Sequence, residues 1–175
     1  MENEKLFVAV LGEPDSGKSK TWYELFKAPR KSGEKELVLN EYIQTEVYVF
    51  VSSPQENEWT RNEFLENFKK INEEIKIVLC SLQTHLTPSM KSKKIVSAKE
   101  VLDIARDNGY EIFIQWLNPG YKWGEDTTPD VEKYIIELMD IESLIGMTKV
   151  DAQNTPAEER AEKLRNIILG WINSR

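Results

Sequence analysis

The sequence predicts an α/β fold: a three-layer sandwich in which a mostly parallel sheet of about five or six strands carries helices on both faces. Three observations lead there. Apolar runs of strand length alternate with segments of helical periodicity along the chain. Two of those runs, "KLFVAVLG" and "IKIVLCSL", are continuous rather than alternating, as strands covered on both faces are. Only "ELVL" and "EVYVFVSS" set two strand candidates side by side, so most connections are helical crossovers. At 175 residues the chain fits one domain, 1–175, with enough core to fold without staples.

Taken in order, "KLFVAVLG" is the first strand, and a helix is expected from Lys18 to about Phe26. "APRKSGEKE" reads as loop, followed by the strand candidates "ELVL" and "EVYVFVSS". Ser53, Pro54 and Glu56 stand where the N-cap, N1 and N3 of a helix would be. Phe64, Leu65, Phe68 and Ile71 then form one apolar helical face. "IKIVLCSL" is the next strand and "QTHLTPSMKSKKIV" a loop. Ser97 and Glu100 make a second capping box before a helix carrying Val101, Leu102, Ile104 and Ala105, with Gly109 suited to its stop. "YEIFIQWL" is a strand ended by "NPGYKWGED". Thr128 and Pro129 open a helix that buries Val131, Ile135 and Leu138, and "ESLIGMT" reads as the last strand. "TPAE" caps a final helix with Ala161, Leu164, Ile168 and Trp171 on one face.

Charge and composition exclude several classes of function. The net charge of −7 repels nucleic acid on average, and the small basic group Lys91, Lys93 and Lys94 reads as a solvated loop. One cysteine, Cys80, and one histidine, His85, rule out an intrachain disulfide and make a cysteine or histidine metal cluster untenable. Cys80 lies in an apolar run and reads as a small core residue. The acidic start "MENEKLFVAV" is not a signal peptide, and no apolar stretch approaches the roughly 18 residues needed to span a membrane. A cytoplasmic protein is expected.

The chemistry is concentrated in "VLGEPDSGKSKTW". Gly12, Gly17, Lys18 and Ser19 fit G-x-x-x-x-G-K-[ST] without departure. Glycine lets the backbone turn tightly and approach phosphate oxygens, and successive amides make an anion nest. That nest runs from about Glu13 to Ser19, and the nucleotide-binding residues expected around it are Gly12, Glu13, Pro14, Asp15, Ser16, Gly17, Lys18, Ser19 and Lys20. The following helix presents its positive end to the same charge. Lys18 is placed to reach the β- and γ-phosphates and Ser19 to ligate Mg²⁺. A buried strand before the motif and a helix after it are the context the motif requires. Asp15 adds negative charge to an anion loop, and an outward turn position accounts for it.

On these residues the sequence resembles the P-loop NTPases, strongly over residues 6–26 and in its order of elements over the rest. Among them the layout is similar to that of the small GTPases. The resemblance places "EVYVFVSSPQE" where that family carries D-x-x-G-Q. The aspartate position then holds Val51 or Ser52, Pro54 replaces the glycine, and Gln55 matches the glutamine that orients the attacking water. A helix cap explains Ser53 to Glu56 without catalysis. "WLNPG" falls where N-K-x-D would read guanine, and only Asn118 matches. "MTKVD" supplies a T-K-x-D variant one strand late, so Thr148 and Lys149 become candidates to flank the base.

A second likeness is to small P-loop kinases, through "IVLCSLQTHLTPSMKSKK" and "AKEVLDIARDNGYEIFIQWLNPG". Those enzymes close an arginine-bearing lid over the transferred phosphate, and no arginine lies between Trp116 and Asp130. Both likenesses lack the strand-end acid that holds Mg²⁺, with Ser52, Ser53, Ser81 and Glu56 as the nearest substitutes. Trp22 and Trp171 lie on apolar helix faces, and Trp123 is the one loop tryptophan placed to stack on a base. The expectation is a domain that binds ATP or GTP with Mg²⁺ and hydrolyses it slowly. Lys18 and Gln55 would be the catalytic residues, and a protein partner would receive the signal. A phosphotransferase and a non-hydrolysing scaffold are the alternatives.

Overall fold

The computed structural model describes residues 4–28, 31–122 and 129–175. In chain order the elements are β1 (Lys5–Gly12), α1 (Lys18–Phe26), β2 (Gly33–Val38), β3 (Gln44–Phe50), α2 (Arg61–Lys69) and β4 (Ile77–Gln83). They continue with α3 (Pro88–Ser92), α4 (Ala98–Asp107), β5 (Tyr110–Leu117), α5 (Pro129–Met139), β6 (Leu144–Val150) and α6 (Ala157–Asn173). The strands form one six-stranded sheet in the order β2-β3-β4-β1-β5-β6, antiparallel only between β2 and β3.

β1 lies between β4 and β5, which is why its sequence is apolar without interruption. Its alternate residues enter two different cores. Phe7, Ala9 and Leu11 face a core closed by α2, α4 and α5, through residues such as Phe64, Phe68, Leu102 and Leu138. Leu6, Val8 and Val10 face a second core closed by α1 and α6, through Trp22, Leu25, Leu164 and Ile168. These two cores are the predicted sandwich. Each fully buried aliphatic side chain contributes about 1.5–3 kcal/mol of transfer free energy, so the central strand anchors both layers. Trp22 is a core residue as expected. Its Nε1–H donates to Ser81 Oγ at 2.7 Å, and that hydroxyl donates to the Val51 carbonyl at 2.8 Å.

Several expected boundaries move. The helix expected after Ser53 begins instead at Arg61, because Thr60 and Glu63 form the capping box that starts it. Ser53 does accept the Glu56 N–H at 3.0 Å, but the chain closes a single turn there and leaves it through Glu58 at φ 56°. β2 begins at Gly33, within the expected loop, as a half-exposed edge strand paired to β3. The expected loop 83–96 contains the short helix α3, with Thr87 as its N-cap and Pro88 in its first turn. β6 runs on to Val150, because its pairing with β5 continues to Leu117. Thr128, expected to open α5, lies outside the described residues.

Candidate functional site

The glycine loop leaves the C-terminal end of β1 and enters α1 at Lys18. Gly12 is buried against Ser16, and a Cβ at Gly12 would lie 2.4 Å from Ser16 Oγ, so only glycine fits. Gly17 has φ 105°, a left-handed conformation that glycine adopts without steric cost. Asp15 also has positive φ, 59°, and is exposed. It takes the outward turn position expected of it, a conformation aspartate tolerates.

The loop is open rather than collapsed. Ser16 N–H donates to the Glu13 carbonyl at 3.1 Å and closes the turn. No hydrogen bond among the described residues engages the N–H groups of Asp15, Gly17, Lys18 or Ser19. Ser16 Oγ is buried and likewise has no partner among them. A buried hydroxyl without a partner costs free energy, and with the open N–H donors beside it the loop can receive an acceptor-rich ligand. The first turn of α1 adds its unsatisfied donors and the positive end of its dipole.

Lys18 lies inside this ring. It is 4% exposed, and its Nζ donates to the carbonyl oxygens of Gly12 at 3.0 Å and Glu13 at 2.8 Å. Glu56 Oε1 stands 3.8 Å away. Burial pulls the Lys18 pKa below the ordinary lysine value, and the carboxylates of Glu56, Glu13 and Asp15 oppose that shift. The loop faces a pocket of about 420 Å³ lined by Pro14 to Lys20, Glu56, Tyr121 and Lys122. Three of these residues are lysines and two are carboxylates, and the backbone donors add to the positive side.

A second pocket, of about 210 Å³, adjoins the first through Lys20 and Tyr121, which line both. Its other walls are Ala152, Gln153, Asn154, Thr155, Pro156, Ala157 and Arg160. Lys20 Nζ sits 4.2 Å above the Tyr121 ring, and Tyr121 N–H donates to the Ser16 carbonyl at 3.1 Å. The segment after β5 is therefore tied directly to the glycine loop. The buried guanidinium of Arg160 ties α6 to the same loop, since Nη2 donates to the Gly17 carbonyl at 3.1 Å.

No family model and no curated protein matches the chain. Among solved structures it resembles translation elongation factor SelB from Methanococcus maripaludis in complex with the GTP analogue GppNHp, with a TM-score of 0.50 and 12% identity. That likeness covers 99% of this chain and 35% of SelB, so the chain spans about a third of its neighbour. The fold is a small-GTPase-like P-loop NTPase fold. The FeoB G-domain from Methanococcus jannaschii also resembles the chain, with a TM-score of 0.48, 17% identity and 99% of each chain covered.

Not every residue that the P-loop resemblance nominated comes to the pocket. Gln55 is fully buried and does not line it. Its Nε2 donates to the Val96 carbonyl at 2.9 Å, and its Oε1 accepts the Gln83 N–H at 3.0 Å. Through these two bonds Gln55 clips the β3–α2 turn to β4 and to the chain entering α4. Thr148 and Lys149 are strand residues of β6 and not part of a base-flanking loop. Thr148 lines a separate pocket against α6, and Lys149 Nζ lies 5.4 Å over the Trp116 ring. Asn118 is buried, and its N–H donates to the Val150 carbonyl at 3.0 Å, which joins the ends of β5 and β6. Trp123 lies outside the described residues. Ser53 and Ser81 are fully buried with hydroxyls already engaged, so neither replaces the missing strand-end acid. Sequence reasoning missed Tyr121 and Arg160. Arg160 could have been found, because it stands four residues before Leu164 on the buried stripe of its helix.

Proposed function

We propose that this protein binds a nucleoside triphosphate, ATP or GTP, together with Mg²⁺, and hydrolyses it slowly as a small NTPase or switch. The observation that carries this reading is the set of unengaged loop N–H groups around the buried ammonium of Lys18. Such a ring has one kind of complement, a chain of phosphate oxygens. The polyphosphate would lie along the loop with Lys18 against its outer phosphates. The nucleoside would extend past Lys20 and Tyr121 into the adjoining pocket. No carboxylate lines that second pocket among the described residues, so both purines remain candidates.

The oxygen donors at the loop suit a hard cation. Ser19 lines the pocket at the start of α1, and Mg²⁺ takes few protein ligands when phosphate oxygens and water supply the rest. Bound there, Mg²⁺ would spread negative charge from the phosphates. The chain's own share of catalysis is Lys18 and the loop amides, which would absorb the charge that develops as water attacks the γ-phosphorus in line and the bridging oxygen leaves. Gln55 is engaged by Val96 and Gln83 and does not line the pocket, which favours slow turnover. The same observation favours a second reading, a nucleotide-binding scaffold without turnover. Either state would be passed to a protein partner in a cytoplasmic setting. The net charge of −7 argues against nucleic acid in that role. No helix among the described residues is long and apolar enough to cross a membrane.

The test is a titration of ATP, GTP and their diphosphates with Mg²⁺, followed by measurement of phosphate release. Saturable triphosphate binding with slow release supports the NTPase, and binding without release over hours supports the scaffold. No saturable binding of either triphosphate would end the reading.

A further inference from the structure

We propose that Glu56 is the carboxylate this protein offers to triphosphate-bound Mg²⁺, and that without the metal it holds Lys18 against phosphate entry. The inference rests on the reading of the P-loop pocket given above. Two carboxylates line that pocket among the described residues, Asp15 and Glu56. Asp15 is on the exposed outer turn. Glu56 faces the ammonium of Lys18 at 3.8 Å, with its side chain 43% exposed.

The position of Glu56 is built by its neighbours. Its N–H donates to Ser53 Oγ at 3.0 Å. The turn around it is closed by Asn57 N–H on the Ser53 carbonyl and Trp59 N–H on the Pro54 carbonyl, both at 3.0 Å. The residue before it, Gln55, fastens the turn to β4 and to Val96. The backbone of Glu56 is held by these bonds, and its partly exposed carboxylate pairs with Lys18. β4, which lies directly beside β1, ends in Leu82 and Gln83, and β3 runs into Val51, Ser52 and Ser53, so neither strand delivers an acid to the pocket. Glu56 arrives at the pocket from the turn instead.

Two consequences follow from charge alone. Without a cation, the carboxylate and an incoming γ-phosphate compete for the same ammonium and repel each other. With Mg²⁺, the carboxylate and the phosphate share a divalent charge, directly or through a bound water, and repulsion becomes attraction. Ser19 Oγ and the Glu56 carboxylate are both hard oxygen donors lining the same pocket, a donor set that fits Mg²⁺.

The experiment titrates a non-hydrolysable triphosphate into the wild type and Glu56→Gln, each with Mg²⁺ and with EDTA. The readout is the ratio of the two affinities. We expect Glu56→Gln to bind more tightly than the wild type in EDTA and less tightly in Mg²⁺, so that its ratio is at least tenfold smaller. A thermal melt confirms that the variant is folded. Equal ratios in the two proteins would overturn this inference and leave the pocket reading intact. No saturation of the wild type in either buffer would overturn both.

Discussion

Arg160 Nη2 donates to the carbonyl oxygen of Gly17 at 3.1 Å, joining residues 143 positions apart in the chain. The same guanidinium donates through Nη1 to the Thr155 carbonyl at 2.7 Å and through Nε to Thr21 Oγ1 at 3.4 Å. Burial lowers its pKa from the ordinary arginine value, and a guanidinium keeps its proton in proteins. A fixed positive charge therefore lies beside the glycine loop and braces it against α6.

Arg160→Ala is expected to cost about 3 kcal/mol of stability, because it strands carbonyl acceptors that had a charged donor. Arg160→Lys, with one donor group in place of a planar fork, should recover only part of that. Gly17→Ala is expected to cost more in the wild type than in Arg160→Ala, since the new Cβ would lie 2.8 Å from Nη2. The φ strain at position 17 remains in both backgrounds. Urea denaturation of the four proteins in a double-mutant cycle measures this coupling, and additive costs would refute the brace.

Gln55 gives a prediction that separates its two readings. As a clip, Gln55→Ala leaves the Val96 carbonyl and the Gln83 N–H buried without partners, a loss of about 2–3 kcal/mol. Triphosphate affinity with Mg²⁺ should weaken several-fold as the turn bearing Glu56 loosens. As a water-orienting residue, the same substitution would slow phosphate release and leave stability and affinity alone. Chemical denaturation, ligand titration and phosphate release on one sample decide between them.

The parts of this fold that were legible in the sequence are those set by local rules. The glycine loop could be read because each position answers to a backbone demand within eight residues: the close approach of Gly12 to Ser16, the left-handed Gly17, and the helix start at Lys18. The capping box Ser97–Glu100 is equally local, and it is present with both of its bonds. Ser53 and Glu56 obey the same local rule. The N–H of Glu56 is capped, yet no helix follows, because Gln55 finds better partners on β4 and before α4 than in another helical turn. The pairing of β6 with β5 draws Thr148 and Lys149 into the sheet, and no neighbour in sequence announces it. "ELVL" marked β2, but its start at Gly33 escaped, because an edge strand with one exposed face is polar enough to pass for loop.

Gly12→Ala should abolish triphosphate binding while the sheet persists. The added Cβ would stand 2.4 Å from Ser16 Oγ and 2.9 Å from Ser16 Cβ, so the loop must shift. The same residue's carbonyl holds Lys18 Nζ at 3.0 Å, and a shift there misplaces the ammonium. Adding Ser16→Gly removes both clashing atoms and leaves Leu117 Cβ, at 3.4 Å, as the nearest contact to the new methyl. The double variant is therefore expected to regain binding that the single variant lacks. A circular-dichroism melt beside the titration shows that the fold survives in each; failure of Ser16→Gly to restore any affinity would count against steric displacement as the cause.

Lys18→Ala should reduce triphosphate affinity by about a hundredfold or more, the worth of about 3 kcal/mol of charge-assisted bonds. It should not destabilise the free protein, because burying an ammonium opposes folding. The sign follows from the lowered pKa. Folding favours the neutral amine, so ionised Lys18 subtracts stability below its folded pKa. That penalty fades as pH rises from the lowered value toward the ordinary 10.5. A bound polyphosphate reverses the balance by favouring the ammonium, so binding draws a proton from solution in that window. Calorimetric titrations in two buffers of different ionisation heat should therefore show proton uptake that grows as pH approaches the ordinary lysine value. Proton release over that range, or an affinity unchanged in Lys18→Ala, would show that the ammonium does not meet the phosphates.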